Sequence, residues 1–200
     1  MTGHPEAEDG KIIRCVGGRD HPRSPPSPVQ LPSFGIPINS DAIYILARGQ
    51  QATGSVTVIP HQTSASDEIT VDVTVQRHDW DTFMGTTVCL MERKKGERGV
   101  GIFVSTSSPD SSYVLNTNEK TPKHLTWTNR KSQVEVTVKI PQQLAPRVLE
   151  LPGFEILTPY FQVNLPDADK FVNFHNLTIH TSNMAVTVGV SPSQKFPTEC

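Results

Sequence analysis

The stretch Glu68-Ile69-Thr70-Val71-Asp72-Val73-Thr74-Val75-Gln76 decides the fold class. Successive side chains of an extended chain point to opposite faces. Ile69, Val71, Val73 and Val75 therefore share one side, and Thr70, Asp72, Thr74 and Gln76 share the other. This is the pattern of a strand with one dry face and one wet face. Residues 133–140 repeat it, with Val134, Val136, Val138 and Ile140 against Gln133, Glu135, Thr137 and Lys139, and Pro141 closes the run.

The same grammar extends in both directions. Residues 42–48 read as a strand ended by Gly49, and 54–59 as a strand stopped by Pro60. Residues 86–91 and 99–105 flank the charged turn 94–98, whose Gly96 suits a hairpin reversal. Tyr113-Val114-Leu115 and Leu125-Thr126-Trp127 read as shorter strands. Residues 144–151 have room for one helical turn, limited by Pro146 and Pro152. Residues 154–157 and 160–163 read as edge or bulged strands around Pro159, and 171–180 and 185–190 add two more. No long helical period occurs. The expected class is all-β, built of short strands either stacked in a β-solenoid-like manner or arranged as a two-sheet sandwich.

Residues 1–38 carry Pro, Gly, Ser and charge without an apolar period, and predict a disordered Pro/Ser-rich lead-in. Residues 39–200 then form a single all-β domain. The hydrophobic share is 36% and Pro numbers 17, which fits a half-exposed β protein carrying such a tail. A net charge of −2, with both signs mixed along the chain, gives no footprint for nucleic acid. No window of 18 apolar residues exists to span a membrane, and the N-terminus lacks the basic and apolar regions of a signal peptide. As written, the chain reads as soluble and cytosolic.

Three cysteines, Cys15, Cys89 and Cys200, are too few and too widely spaced for a disulfide scaffold. Cys89, within Val88-Cys89-Leu90-Met91, reads as a small buried hydrophobe. A Cys15–Cys200 bridge would join two segments that both look loose.

No catalytic, cofactor or metal site emerges. His175 and His180 fall on opposite faces of one expected strand and cannot share a metal. His78, Asp79 and Asp81 form the densest polar cluster, but beside Trp80 they read as a solvated loop without partners at metal spacing. Gly99-Val100-Gly101 leads into a strand and not a helix, so it is no phosphate cradle and reads as easing strand entry or a bulge. Arg93, Lys94, Lys95 and Arg98, broken by Glu97 and flanked by Glu92, read as a charged hairpin tip. Trp80, Tyr113, Trp127 and Tyr160 have rings able to stack on sugars, although single aromatics in β proteins usually belong to core or rim. Asn176, in Asn176-Leu177-Thr178, is the candidate glycosylation acceptor if the chain enters the secretory route.

The run Leu165-Pro166-Asp167, then Phe174-His175-Asn176-Leu177-Thr178-Ile179, then Thr181 to Val188, resembles the repeat of the putative-adhesin domains of unknown function. Gly54 to Val58, Val88-Cys89-Leu90 and Gly99 to Phe103 look like the N-terminal part of uncharacterised fungal proteins carrying that domain. The resemblance covers residues 42–190. It implies stacked β rungs, no catalytic residues, and a domain held outside the cell by an upstream membrane anchor. Met184 stands where that family has Gly, and the chain stops at Cys200 where the family continues with more rungs. This implies a raw sheet edge and a domain truncated at its C-terminus.

Three functions follow as expectations. The first is a non-catalytic, adhesin-like domain at the cell surface, presenting a polar sheet to a protein or glycan partner. The second is an intracellular scaffold module pairing through its edge strands. The third is an enzyme assembled from loops around His78, Asp79 and Asp81. The first is the reading adopted here, with an extracellular location given an upstream signal or anchor and a cytoplasmic one without it.

Overall fold

A computed structural model of the chain describes residues 5–20, 28–49, 52–62, 67–76, 83–105, 132–142, 148–182 and 184–189. In chain order the strands are β1 (Lys11–Gly17), β2 (Val29–Gln30), β3 (Phe34–Pro37), β4 (Ala42–Arg48), β5 (Ala52–His61), β6 (Glu68–Gln76) and β7 (Thr86–Lys94). There follow β8 (Glu97–Val104), β9 (Ser132–Pro141), β10 (Leu149–Leu151), β11 (Phe154–Leu157), β12 (Phe161–Leu165), β13 (Val172–Phe174), β14 (Leu177–His180) and β15 (Val186–Val188). The all-β class stands.

The decisive stretch is β6, and its four apolar side chains are fully buried. It lies antiparallel to β9, so that Val71 faces Val138, Val73 faces Val136 and Val75 faces Val134. These two strands sit in a seven-stranded sheet of order β15-β12-β5-β9-β6-β2, with β3 also paired to β6. A six-stranded sheet of order β1-β7-β8-β4-β11-β14 faces it, and β10 and β13 make a small third sheet. One apolar core lies between the large sheets. Ile43 and Ile45 of β4 and Val100 and Ile102 of β8 meet Val56, Val58, Val136 and Val138 there.

The C-terminal strands stack in parallel with a constant offset. Leu149 pairs with Val172, Phe154 with Leu177 and Val163 with Val186, each 23 residues further on. Residues 149–165 thus form one three-strand turn of chain, and 172–188 form a second directly beside it. The corners carry Pro152-Gly153, Pro159 and Pro166-Asp167. Asp167 adopts φ 51°, the left-handed conformation that Asp tolerates at a reversal. β11 and β12, expected at edges, are interior: β11 runs between β4 and β14, and β12 between β5 and β15. The prolines that suggested edges lie at the corners, where no ladder bond is lost.

Several other expectations change. Residues 1–38 are not a uniform lead-in. β1 pairs with β7, β2 and β3 pair with β6, and Val29, Leu31, Phe34 and Ile36 are buried. Their apolar residues are too sparse to show a period, and they become strands only because a sheet edge is there to receive them. Cys15 and Cys89 are directly opposite in the β1–β7 register and form a disulfide. Cys89 is therefore buried but not a free thiol, and Cys15 is not available to Cys200. Pro60 does not stop β5, which continues to His61 in register with β9. Residues 149–151 are strand and not helical turn. The expected strands at Tyr113–Leu115 and Leu125–Trp127 lie outside the described residues.

The hairpin at Lys95-Gly96 forms as expected, with Gly96 at φ 87°. The two glycines of β8 have a different use. A Cβ on Gly101 would lie 2.6 Å from the Phe103 ring and 2.8 Å from the Met91 sulfur, and one on Gly99 would strike the Tyr44 ring. These glycines make a flat seat for two aromatic rings on the outer face of the six-stranded sheet, where Tyr44, Leu46, Cys89, Met91 and Phe103 form a second apolar cluster.

Gly101→Val is expected to lower stability by about 1–3 kcal/mol through overpacking, read as a lower urea midpoint. Cys15→Ser removes a cross-link between positions 74 residues apart and is expected to cost about 2–4 kcal/mol. A reductant should destabilise the native chain by a similar amount and leave the Cys15→Ser variant unchanged.

Candidate functional site: the outward face of the seven-stranded sheet

Because side chains alternate, the register that brings valines together inside must bring the intervening residues together outside. One outward row reads Thr187, Asn164, Thr57, Thr137, Asp72 across β15, β12, β5, β9 and β6. The next reads Gln162, Ser55, Glu135, Thr74, Gln30 across β12, β5, β9, β6 and β2. With strands about 4.8 Å apart, a five-residue row spans about 19 Å, and the rows lie about 7 Å apart. Gln162 and Thr187 are exposed, while Ser55, Thr57, Thr137 and Asn164 are half-buried between neighbours, which keeps the surface low. Hydroxyls and amides both donate and accept hydrogen bonds. The rows hold no cation, and their two acids are engaged from within the sheet. The Gln76 Nε2 donates to Glu135 Oε1 at 2.7 Å.

Asp72 is the exception to the expected wet face. Only 8% exposed, it accepts from the Ser33 Oγ at 2.5 Å and pairs with the Lys139 Nζ at 2.6 Å. Burial pushes its carboxyl up, but the Lys139 ammonium, the Ser33 hydroxyl and nearby His61 outweigh this and hold it below the ordinary carboxylate range. Asp72 fastens the segment between β2 and β3 onto the sheet and closes one end of its row.

The residues singled out in the sequence are dispersed. His78, Asp79, Trp80, Asp81, Tyr113 and Trp127 lie outside the described residues. His175 and His180 are not in one strand: His175 follows β13 and its Nε2 lies 2.8 Å from Glu150, whereas His180 ends β14. Among the described residues no group of three or more His, Cys, Asp or Glu is placed to hold a metal. Tyr160 is half-buried at the corner before β12. The basic hairpin tip is internally compensated. Arg93 meets Glu155 at 2.8 Å and lies 4.4 Å above the Tyr44 ring, while Lys94 pairs with Glu97 and Arg98 with Glu92. Asn176 is exposed on the bend between β13 and β14.

One polar cluster has no counterpart in the sequence reading. Arg48, at the end of β4, donates from Nε to both carboxylate oxygens of buried Asp9 at 3.1 Å and pairs with Glu6 and Glu8 at 3.6 and 3.5 Å. The Asp9 hydrogen bond holds the guanidinium above its ordinary pKa, against the effect of burial. The Tyr44 hydroxyl donates to the Asp9 carbonyl at 3.2 Å, and burial pushes its pKa up to about 12. Beside this cluster is a shallow depression of about 320 Å³ between Arg48, Leu157, Ile179 and His180. Three acids around one Arg make the cluster a clasp for the N-terminal segment. Partners 39 to 42 residues apart leave no local pattern by which to find them.

No protein-family model matches the sequence, and no curated protein does. A solved structure described as a putative cell adhesion protein from Clostridium sporogenes is similar to this chain, with a TM-score of 0.34 and 11% identity. The likeness covers 77% of this chain and 57% of that one, so the chain spans little more than half the neighbour's length.

A carboxyl whose folded pKa lies below its unfolded value stabilises the fold above the unfolded pKa, near 3.9 for Asp, and loses that contribution as pH falls through the folded value. The acid limb of a stability–pH curve should therefore flatten in Asp72→Asn below about pH 4. Lys139→Met, which strands Asp72 without its cation, is expected to cost about 1–3 kcal/mol at neutral pH, read by chemical denaturation.

Proposed function

We propose that this chain is a non-catalytic, adhesin-like binding domain, and that its ligand is a glycan laid across the outward face of the seven-stranded sheet. The observation that carries this reading is the five-strand row Thr187, Asn164, Thr57, Thr137 and Asp72, beside its neighbour Gln162, Ser55, Glu135, Thr74 and Gln30. A surface of hydroxyls and amides suits a neutral, hydroxyl-rich ligand, because each group offers both halves of a hydrogen bond. A rigid sheet holds those groups in place without an ordering cost at binding. Asp72 is paired with Lys139, and the Glu135 carboxylate is engaged by the Gln76 amide.

The Cys15–Cys89 disulfide supports a location outside the reducing cytosol, since such bonds persist in oxidising compartments. The exposed Asn176 of Asn176-Leu177-Thr178 is consistent with the same route. A surface-held domain reached through the secretory pathway accommodates both features. No residue in this reading has a catalytic role.

Thr57→Lys and Thr137→Lys place a long cation at the centre of the face without touching the core. On a glycan array the native chain is expected to bind a neutral oligosaccharide class, and each variant to lose at least about tenfold in affinity, or 1.4 kcal/mol. Absence of binding, or binding indifferent to both substitutions, overturns the reading.

A further inference from the structure

The last turn of chain, β13, β14 and β15, is paired on one side only, to β10, β11 and β12. Among the described residues no strand meets its other side. Val186 and Val188 stand in register with fully buried Val163 and Leu165, so they point toward the core. Yet they are 44% and 41% exposed, and Met184 is 42% exposed. Among the described residues nothing covers the core there.

Proteins protect an open sheet edge with short strands, charge, proline or a bulge. This one has short strands, but they carry no charge, proline or bulge. From Phe171 to Gly189 the chain contains no Asp, Glu, Lys or Arg. The opposite end of the molecule is built differently. There the parallel strands β8 and β9 are followed by antiparallel β7 and β6, and β1 brings Lys11 and Arg14 to the outermost position. The two ends do not match, so the open end of one copy has no complementary surface at the far end of another. It can match its own kind. A contact of like surfaces is two-fold and closed, and it sets a charge near the axis against its own copy. An edge without charge removes that penalty.

We infer that a second copy of this chain covers the open end, with β15 running antiparallel to the partner's β15 about a two-fold axis near Thr187. Val186 of each copy then lies opposite Val188 of the other, and the two cores join. The seven-stranded sheets join across the axis, and the outward rows through Asn164 and Thr187 become continuous over two molecules. The inference rests on edge and charge alone and is independent of the nature of any ligand.

Sedimentation velocity over a concentration series tests it on the full chain. The native protein is expected to form a dimer. Thr187→Lys and Thr187→Glu, each opposed to its own copy, are expected to weaken self-association at least about tenfold, with unchanged circular dichroism. Mixing the two variants should restore a dimer, because the axis then sets Lys against Glu. Thr187→Ala should remain dimeric. A native chain that stays monomeric at every concentration overturns the inference. So does a monomer whose β14 and β15 amides resist hydrogen exchange, which would mean that the chain covers its own edge. A dimer equally stable in Thr187→Lys and Thr187→Glu overturns it too.

Discussion

Five valines, Val73, Val136, Val56, Val163 and Val186, lie side by side across five strands of the seven-stranded sheet. Four of them are out of water and the fifth is at the open end. Burying each such side chain contributes about 1.5–3 kcal/mol, and a slip of one residue in any strand would turn that strand's valines outward. The core therefore sets the register, and the register sets the outer face. Thr57 stands beside Thr137 and Asn164 because Val56 stands beside Val136 and Val163. The proposed binding surface is a geometric consequence of the core and needs no device of its own.

The six-stranded sheet shows a different solution on its outer side. Gly99 and Gly101 leave room that the rings of Tyr44 and Phe103 fill, and Arg93 lies over Tyr44 while holding Glu155. The N-terminal segment closes over this side through two links of unlike chemistry, the Cys15–Cys89 bond and the Arg48–Asp9 pair. Asp9 is buried, and its carboxylate is held by the Arg48 guanidinium and the Glu6 backbone N–H. One large sheet is thus polar and open on its outer side, and the other is apolar and partly covered. That asymmetry separates a face suited to a ligand from a face devoted to stability.

Much of the strand content was legible locally. β4 and β6 occupy the spans expected of them, and the hairpin of β7 and β8 turns at the expected glycine. Alternation and turn chemistry suffice for these, because each strand carries its own signal. Strands of two to four residues, such as β2, β3 and β10, alternate over too short a span to stand out locally and read as tail or helical turn, since they form only against a partner already in place. The candidate face was half legible: Thr70, Thr74 and Thr137 were assigned outward correctly, but Asp72 was not seen to be covered by Ser33 and Lys139. The 23-residue offset leaves no repeat in the sequence because it holds across only two turns, and Leu149 with Val172 or Phe154 with Leu177 are similar in kind and not in identity.

By itself the sequence determined that this chain forms strands, which side of each is dry, and where several of them turn. Those properties depend on residues one, two or three apart. Tertiary structure alone decided which strands are neighbours, that Cys15 meets Cys89, that Arg48 reaches Asp9, and that Val186 and Val188 stand exposed beside buried Val163 and Leu165. The physical reason is that alternation specifies a surface and not its partner. Many valine-lined strands fit one another about equally well in pairs, and only simultaneous closure of the whole core selects one arrangement among them.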